Sequence, residues 1–266
     1  MFQFPEWLQE YQVEDETFGA AYEATLPPQR AWLKKTIAQV YGVNSPDAPL
    51  KTWDVNTWRG GFETEVTSTP LEWTVLLLDA KSVSPVRILA ALVPALAAGV
   101  KNVLAVFGGE GEISQAVLAG FELAGQEDVV KLPQNKIEEL LEHLMSSGSD
   151  GAIVDLRTDL MLLPYGPGVR YWRAPEISSI SVCKEEDSPD MDVLAFVHPD
   201  VDFVEVDEDS LAEVESDAAV VPAELVGDAL LNFSIVLTHG QEGCWLWNGF
   251  NCSFFKRECV ALAVAE

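Results

Sequence analysis

The sequence predicts an α/β protein: a parallel sheet covered by helices on both faces, three layers in all, preceded by an N-terminal helical segment. Three observations predict it. Short apolar runs recur at residues 73–79 (WTVLLLD), 103–107 (VLAVF), 129–132 and 152–156, alternating with stretches of helical periodicity. Residues 75–78, 103–107 and 152–154 are apolar at successive positions instead of every second one, which is the pattern of strands buried on both faces. The segments between them, residues 85–99, 113–124 and 136–146, are long enough for the helical crossovers that parallel strands require.

Residues 1–52 form the helical segment. Phe18, Ala21, Tyr22 and Leu26 recur at helical spacing, Pro27 and Pro28 interrupt, and Leu33, Ile37, Val40 and Tyr41 make a second stripe that Gly42 ends. Arg30, Lys34 and Lys35 place scarce positive charge on this second helix, which predicts docking against the acidic half of the chain. The core, residues 53–184, begins with an alternating stretch from Trp53 to Thr69 that turns at Gly60-Gly61. Ser84 is the N-cap of the first crossover helix, with Pro85 at its first position. Pro94 costs about 3 kcal/mol inside an isolated helix and predicts a kink or a break. Asn135 followed by Glu138 resembles a capping box, and Ile137, Leu140, Leu141 and Leu144 face inward. Residues 177–183 alternate as a strand does. Residues 185–266 form an acidic α/β second half, with short strands near 203–206, 218–221 and 234–237, which either extends the sheet or makes a second lobe. The acidic span 184–217 is the expected boundary.

The net charge of −27 narrows the function classes. Between Glu185 and Phe255 there is no Lys or Arg, so this span repels phosphate backbones and anionic lipid, and neither nucleic acid nor a membrane is an expected partner. The longest uncharged apolar run, residues 88–100, is too short to span a bilayer, and the acidic N-terminus is unlike a secretory signal. Four cysteines in a chain of 266 residues fit a reduced compartment, and the expected location is cytoplasmic.

In an open parallel sheet, ligands bind beyond the carboxyl ends of the strands. Asp79, Ser84, the turn Gly108-Gly109-Glu110-Gly111 and Asp155 fall there and are the candidate ligand-binding residues, with Gly108, Gly109 and Gly111 the glycines of the turn. A glycine-rich turn before a helix suits a pyrophosphate, yet this one lacks the full dinucleotide spacing and carries Glu110 and Glu112, so a tight turn explains it equally. Asp79 and Asp155 have the same two readings, ligand groups or caps. A second cluster, His239-Gly240-Gln241-Glu242-Gly243-Cys244, brings a base, a carboxylate and a thiol to one strand end, and His239, Glu242 and Cys244 are the candidate catalytic residues. Residues 244–247 also alternate as a strand, in which Cys244 is a small buried hydrophobe. His239, Cys244, Cys252 and Cys259 fit no zinc spacing, and no metal site is assigned. His143 lies on the outer face of its helix. His198 sits in a turn, relevant to a site only if that turn folds over the carboxyl edge. Trp245, Trp247, Phe250, Phe254 and Phe255, with the uncharged run 260–265, read as core or, where uncovered, as a homodimer contact.

Residues 94–103 (PALAAGVKNV), the strand after them, and residues 116–125 (AVLAGFELAG) resemble the aldehyde dehydrogenase-like superfold, histidinol dehydrogenase more than the aldehyde dehydrogenases proper. The resemblance spans residues 73–155. It implies a Rossmann-like core and, as cofactor, NAD or NADP with a small-molecule ligand. The chain departs from the pattern at informative places. Lys81-Ser82-Val83-Ser84 stands where histidinol dehydrogenase has a loop with a Pro-Gly-Gly core. His239-Gly240 is similar to that family's zinc motif, with Val236 in place of its glutamine. Gly240-Gln241-Glu242-Gly243-Cys244 is similar to the Gly-Gln-x-Cys nucleophile motif of aldehyde dehydrogenases with one residue inserted, and the lysine that ends their cofactor strand is missing, with Phe107 near its place. The expectation is a dehydrogenase-related protein without the family's full catalytic apparatus that retains a small-ligand or nucleotide site. Two alternatives stand beside it: a cysteine-dependent aldehyde or acyl oxidoreductase using Cys244, and a non-catalytic interaction module with an acidic face.

Overall fold

The computed structural model describes residues 2–44, 49–158, 166–183 and 189–264. Part of the expected lobe boundary, residues 184–188, and the end of the apolar tail, Ala265, lie outside them. Helices α1 (Asp15–Ala24) and α2 (Pro27–Val43) come first, then the hairpin β1 (Thr52–Trp58) and β2 (Phe62–Pro70). The core follows: β3 (Trp73–Asp79), α3 (Pro85–Ala98), β4 (Asn102–Gly108), α4 (Gln115–Ala124), β5 (Val129–Leu132), α5 (Gln134–Ser146), β6 (Gly151–Asp155) and β7 (Val169–Arg173). The last part holds β8 (Ser179–Cys183), α6 (Met191–Val197), β9 (Asp202–Val206), β10 (Ala218–Val221), α7 (Val226–Ala229), β11 (Val236–Thr238) and β12 (Lys256–Val264). No helix among the described residues is long and apolar enough to cross a membrane.

The strands form three sheets. Five of them make an all-parallel sheet in the order β5-β4-β3-β6-β7, the Rossmann-like core expected from the apolar runs. Its central strand β3 is buried on both sides: Leu76 and Leu78 pack toward α3, and Trp73, Val75 and Leu77 toward α5. Four strands make a second parallel sheet, β11-β10-β8-β9, so the acidic half builds a sheet of its own, and β8 belongs to it. The third sheet, β1-β2-β12, is antiparallel and joins the hairpin to the final strand.

Helix α3 is the keystone between the two parallel sheets. Twelve of its residues, Pro85 to Ala95 and Ala98, are buried, and one continuous core runs from β3 and β4 through α3 to Ile180, Val182 and Val220 of the second sheet. Replacing Leu89 or Leu92, which are at most 1 % exposed, by Ala costs about 2–5 kcal/mol. Ser84 caps this helix as expected, its Oγ accepting from the Arg87 N–H, and Gly99 ends it in the left-handed conformation. The helix runs unbroken through Pro94, so the expected break is absent, and Pro94 is buried on the packed helix. Helices α1 and α2 lie over α4 and α3, completing the outer layer on that face.

Three local expectations are corrected. Helix α5 starts at Gln134 with Pro133 before it, so Asn135 lies in its first turn and is not the cap. Residues 244–247 form no strand, and Trp245 and Trp247 turn inward to meet His198 and Trp172 edge-on. Trp245, Trp247, Phe250 and Phe255 are core as read, but residues 260–264 are exposed: they form the outer strand β12 instead of a buried tail.

Candidate functional site

The order β5-β4-β3-β6-β7 reverses direction at β3, since β4 and β5 build to one side and β6 and β7 to the other. The crevice beyond the carboxyl ends of β3 and β6 is therefore the topological switch point, where such sheets bind ligands. A cavity of about 800 Å³ opens there, lined by residues 80–84 after β3, Leu156 to Thr158 after β6, and Arg173 to Ser178 after β7. Arg87 and Ile88 of α3, Asp200, Asp202 and Trp247 close it from the side of the second sheet. Its size is that of a small-molecule site.

Two carboxylates build the loops around it. Asp79 ties the loop after β3 to that after β6: Oδ1 accepts from the Lys81 N–H at 2.8 Å, and Oδ2 from the N–H and Oγ1 of Thr158 at 2.8 and 3.0 Å. Burial pushes the Asp79 pKa up, but the hydrogen bonds from Thr158, Lys81 and Ser82 outweigh it and hold it below the usual value. Asp155, fully buried, accepts from Nε and Nη2 of Arg157 at 2.8 Å each, from the Arg157 N–H at 3.1 Å and from Tyr171 Oη at 3.1 Å. Arg173 Nη1 approaches the same carboxylate at 3.8 Å while its Nη2 donates to the carbonyls of Arg157 and Thr158. Asp155 thus holds two arginines of the cavity wall in place.

The opposite wall is centred on Ser84. Its Oγ donates to the Val197 carbonyl at 2.6 Å and lies 3.4 Å from Nδ1 of His198. The turn after α6 does fold over the carboxyl edge of the first sheet, the condition for His198 to matter. The hydroxyl has one proton, committed to Val197, so His198 Nδ1 carries the hydrogen facing it. Ser84 is consequently an anchored cap and not an activated nucleophile. His198 is fully buried against Trp245, and burial, reinforced by the nearby Arg87, lowers its pKa to about 3. Arg87 donates to Asp200 and, through its backbone carbonyl, accepts from Trp247 Nε1 at 3.0 Å; its own Nε is buried without a partner.

Of the residues singled out in the sequence, Ser84 lines the cavity, and Asp79 and Asp155 stand one step behind it as its scaffold. The glycine turn does not line it. Gly109 and Gly111 have φ of 85° and 127°, which a side chain disfavours, and a Cβ on Gly108 would meet Ile137 at 2.8 Å. Backbone geometry and packing account for all three. His239, Glu242 and Cys244 lie elsewhere, against α2: Lys35 Nζ donates to the Gly240 carbonyl at 2.5 Å and Thr36 Oγ1 to the Gly243 carbonyl at 2.9 Å. Helix α2 thus meets the second half of the chain, its Lys35 and Thr36 reaching backbone carbonyls there and not acidic side chains. Cys244 is buried, and burial raises its thiol pKa. Nε2 of His239 and Oε2 of Glu242 have no hydrogen-bond partner, so neither is engaged as its base. Among the described residues no three His, Cys, Asp or Glu side chains are placed to hold a metal ion.

Sequence reasoning missed the cations. Lys81, Arg87, Arg157 and Arg173 line one cavity in a chain with only 16 Lys and Arg residues. A signal was present: Lys81 and Arg157 each stand two residues beyond a switch-point strand, and Arg173 ends the strand beside them.

No family model matches the chain, and no curated protein matches it by sequence. Solved structures do. A histidinol dehydrogenase from Elizabethkingia anophelis aligns over 97% of this chain and 78% of that one, with a TM-score of 0.57 at 13% identity. An NAD-dependent benzaldehyde dehydrogenase from Corynebacterium glutamicum aligns over 95% of this chain and 81% of that one, with a TM-score of 0.52 at 9% identity. The fold is therefore histidinol and aldehyde dehydrogenase-like.

Proposed function

We propose that this protein binds a small anionic ligand of the nucleotide class at the switch point, without turnover through Cys244. The observation that carries this reading is the grouping of Lys81, Arg87, Arg157 and Arg173 around one cavity, where they outnumber the carboxylates Glu176, Asp200 and Asp202, in a chain of net charge −27. Over the whole chain acidic residues outnumber basic ones 43 to 16, whereas this lining holds four cations to three carboxylates and includes the first turn of α3. Arginine suits the task because its planar fork meets phosphate or carboxylate oxygens in pairs. Asp155 fixes Arg157 and Arg173 in advance, so little side-chain entropy is lost on binding.

A nicotinamide dinucleotide fits this donor set through its phosphates, which Lys81 and Arg173 would hold near the start of α3. When bound it would supply hydride transfer; the chain's own residues bind and orient. The Gly108–Gly111 turn stays outside the cavity and is not assigned to the phosphates. Buried Cys244, with its raised pKa and no engaged base, supports a reading without cysteine catalysis.

Thermal unfolding against NAD, NADP, ATP, inorganic phosphate and small dicarboxylates tests the proposal. A ligand present at a hundred times its dissociation constant adds about 2.7 kcal/mol of stability. The expected result is a raised midpoint with one anionic class, lost in Arg173→Gln. No shift with any anion, or a shift that Arg173→Gln leaves intact, would overturn it.

A further inference from the structure

The charges around the switch-point cavity are sorted by wall. Lys81 follows β3, Arg157 follows β6 and Arg173 ends β7, so all three stand at the carboxyl edge of the first sheet. Glu176 lies in the link from β7 to β8, Asp200 in the turn before β9 and Asp202 at the first position of β9, so the carboxylates stand at the amino edge of the second sheet. The pairing of Asp202 with Ser179 in the parallel β8-β9 register fixes that edge. Arg87, the fourth cation, is paired with Asp200 and offsets that carboxylate.

Neutral donors have little left to offer a ligand there. Ser82 Oγ donates to the Leu156 carbonyl at 3.1 Å, Thr158 Oγ1 to Asp79 at 3.0 Å and Ser178 Oγ to Asp217 at 2.9 Å, while Ser84 is held by Val197. A hydroxyl has one proton, and all four of these are committed inside the protein. Recognition is therefore left to charge. On the first wall three cations stand before two carboxylates, Asp79 and Asp155, so that wall keeps a positive excess. On the second, the side chains of Glu176 and Asp202 are exposed and meet no ion-pair partner among the described residues.

We propose that the cavity selects a dipolar ligand: a phosphate ester that carries a cationic nitrogen remote from its phosphate, with the phosphate toward Lys81 and Arg173 and the cation toward Glu176 and Asp202. This rests on the anion-binding reading above and names the class of ligand within it. A ligand that is anionic throughout meets attraction at one wall and repulsion at the other, whereas one with opposite ends gains at both. The space is large enough for the two ends to lie apart, since 800 Å³, if rounded, is roughly 11 Å across. Because Glu176 and Asp202 are exposed, each contributes only a few-fold to affinity, and the two together on the order of tenfold.

Isothermal titration of the full chain with NAD and with NADH tests this. The two probes share every phosphate and differ at one ring, which is positively charged in NAD and neutral in NADH. A cavity that only collects anions binds NADH, the more negative of the two, at least as tightly as NAD. The dipolar cavity reverses that order, with a dissociation constant for NADH on the order of tenfold above that for NAD. Glu176→Gln combined with Asp202→Asn should bring the ratio to one or below and, both side chains being exposed, leave the unfolding midpoint of the unliganded chain unchanged. Equal binding of the two probes, or a tenfold ratio that survives the double variant, overturns this inference and leaves the anion-binding reading standing. If neither probe binds, the inference is overturned as well, and the anion-binding reading falls with it only when ATP and inorganic phosphate also fail to bind.

Discussion

Replacing Asp155 by Asn removes one charge from a fully buried carboxylate and almost no volume. In the native chain its two oxygens accept four hydrogen bonds, three from Arg157 and one from Tyr171, with Arg173 at 3.8 Å. An asparagine amide keeps one acceptor oxygen and turns an NH2 group toward Arg157, which only donates. The Arg157 side chain is 6 % exposed and cannot reach water without leaving the cavity wall. Breaking a buried pair in this way costs about 3–5 kcal/mol. For a chain of this size that lowers the unfolding midpoint by roughly 6–20 °C. Urea unfolding, with the slope checked for two-state behaviour, measures the loss directly. Asp155→Asn combined with Arg157→Met should recover much of it, since removing both partners leaves no orphan charge. A single variant that loses less than about 1 kcal/mol, or a double variant no better than the single, would refute the claim that Asp155 holds the cavity wall.

Three further outcomes follow from groups around β3, α3 and α2. His198 has a folded pKa of about 3 against an ordinary value of 6.5, so the unfolded chain binds its proton first; stability should fall as pH drops from 6.5 toward 3, by up to about 4 kcal/mol, and His198→Phe should flatten that part of the profile. Asp79, held below its ordinary 3.8, contributes stability above that value which is lost as pH falls through its folded pKa, so Asp79→Asn should blunt the loss at the acid end only. Cys244 should react with thiol reagents far more slowly than exposed Cys259, and Cys244→Ala should leave the ligand-induced midpoint shift unchanged, as residue counts of labelled thiols and thermal unfolding would report.

Local pattern determined the elements. The unbroken apolar runs of β3, β4 and β6 can be satisfied only by burial on both faces, so the three-layer core, the Ser84 cap and the helical segment in front were all legible before any coordinates. Asp79, Ser84 and Asp155 were legible too, because the carboxyl ends of switch-point strands follow from strand positions alone. What local pattern does not encode is which distant segments meet. Lys81, Arg87, Arg157 and Arg173 come from three stretches of chain and share a cavity only because β6 and β7 stack on the far side of β3. His198 gained its place beside Ser84 through the packing of a second sheet against α3. The chain from His239 to Cys244 read as one reactive cluster because its residues are neighbours in sequence, yet α2, some two hundred residues earlier, holds the Gly240 and Gly243 carbonyls and the Gln241 side chain. Strand β12 reads as buried tail by composition, and pairing with β2 put it in the open. Periodicity is set by neighbours along the chain, and sites and surfaces by contacts across it; only the tertiary structure decides the second.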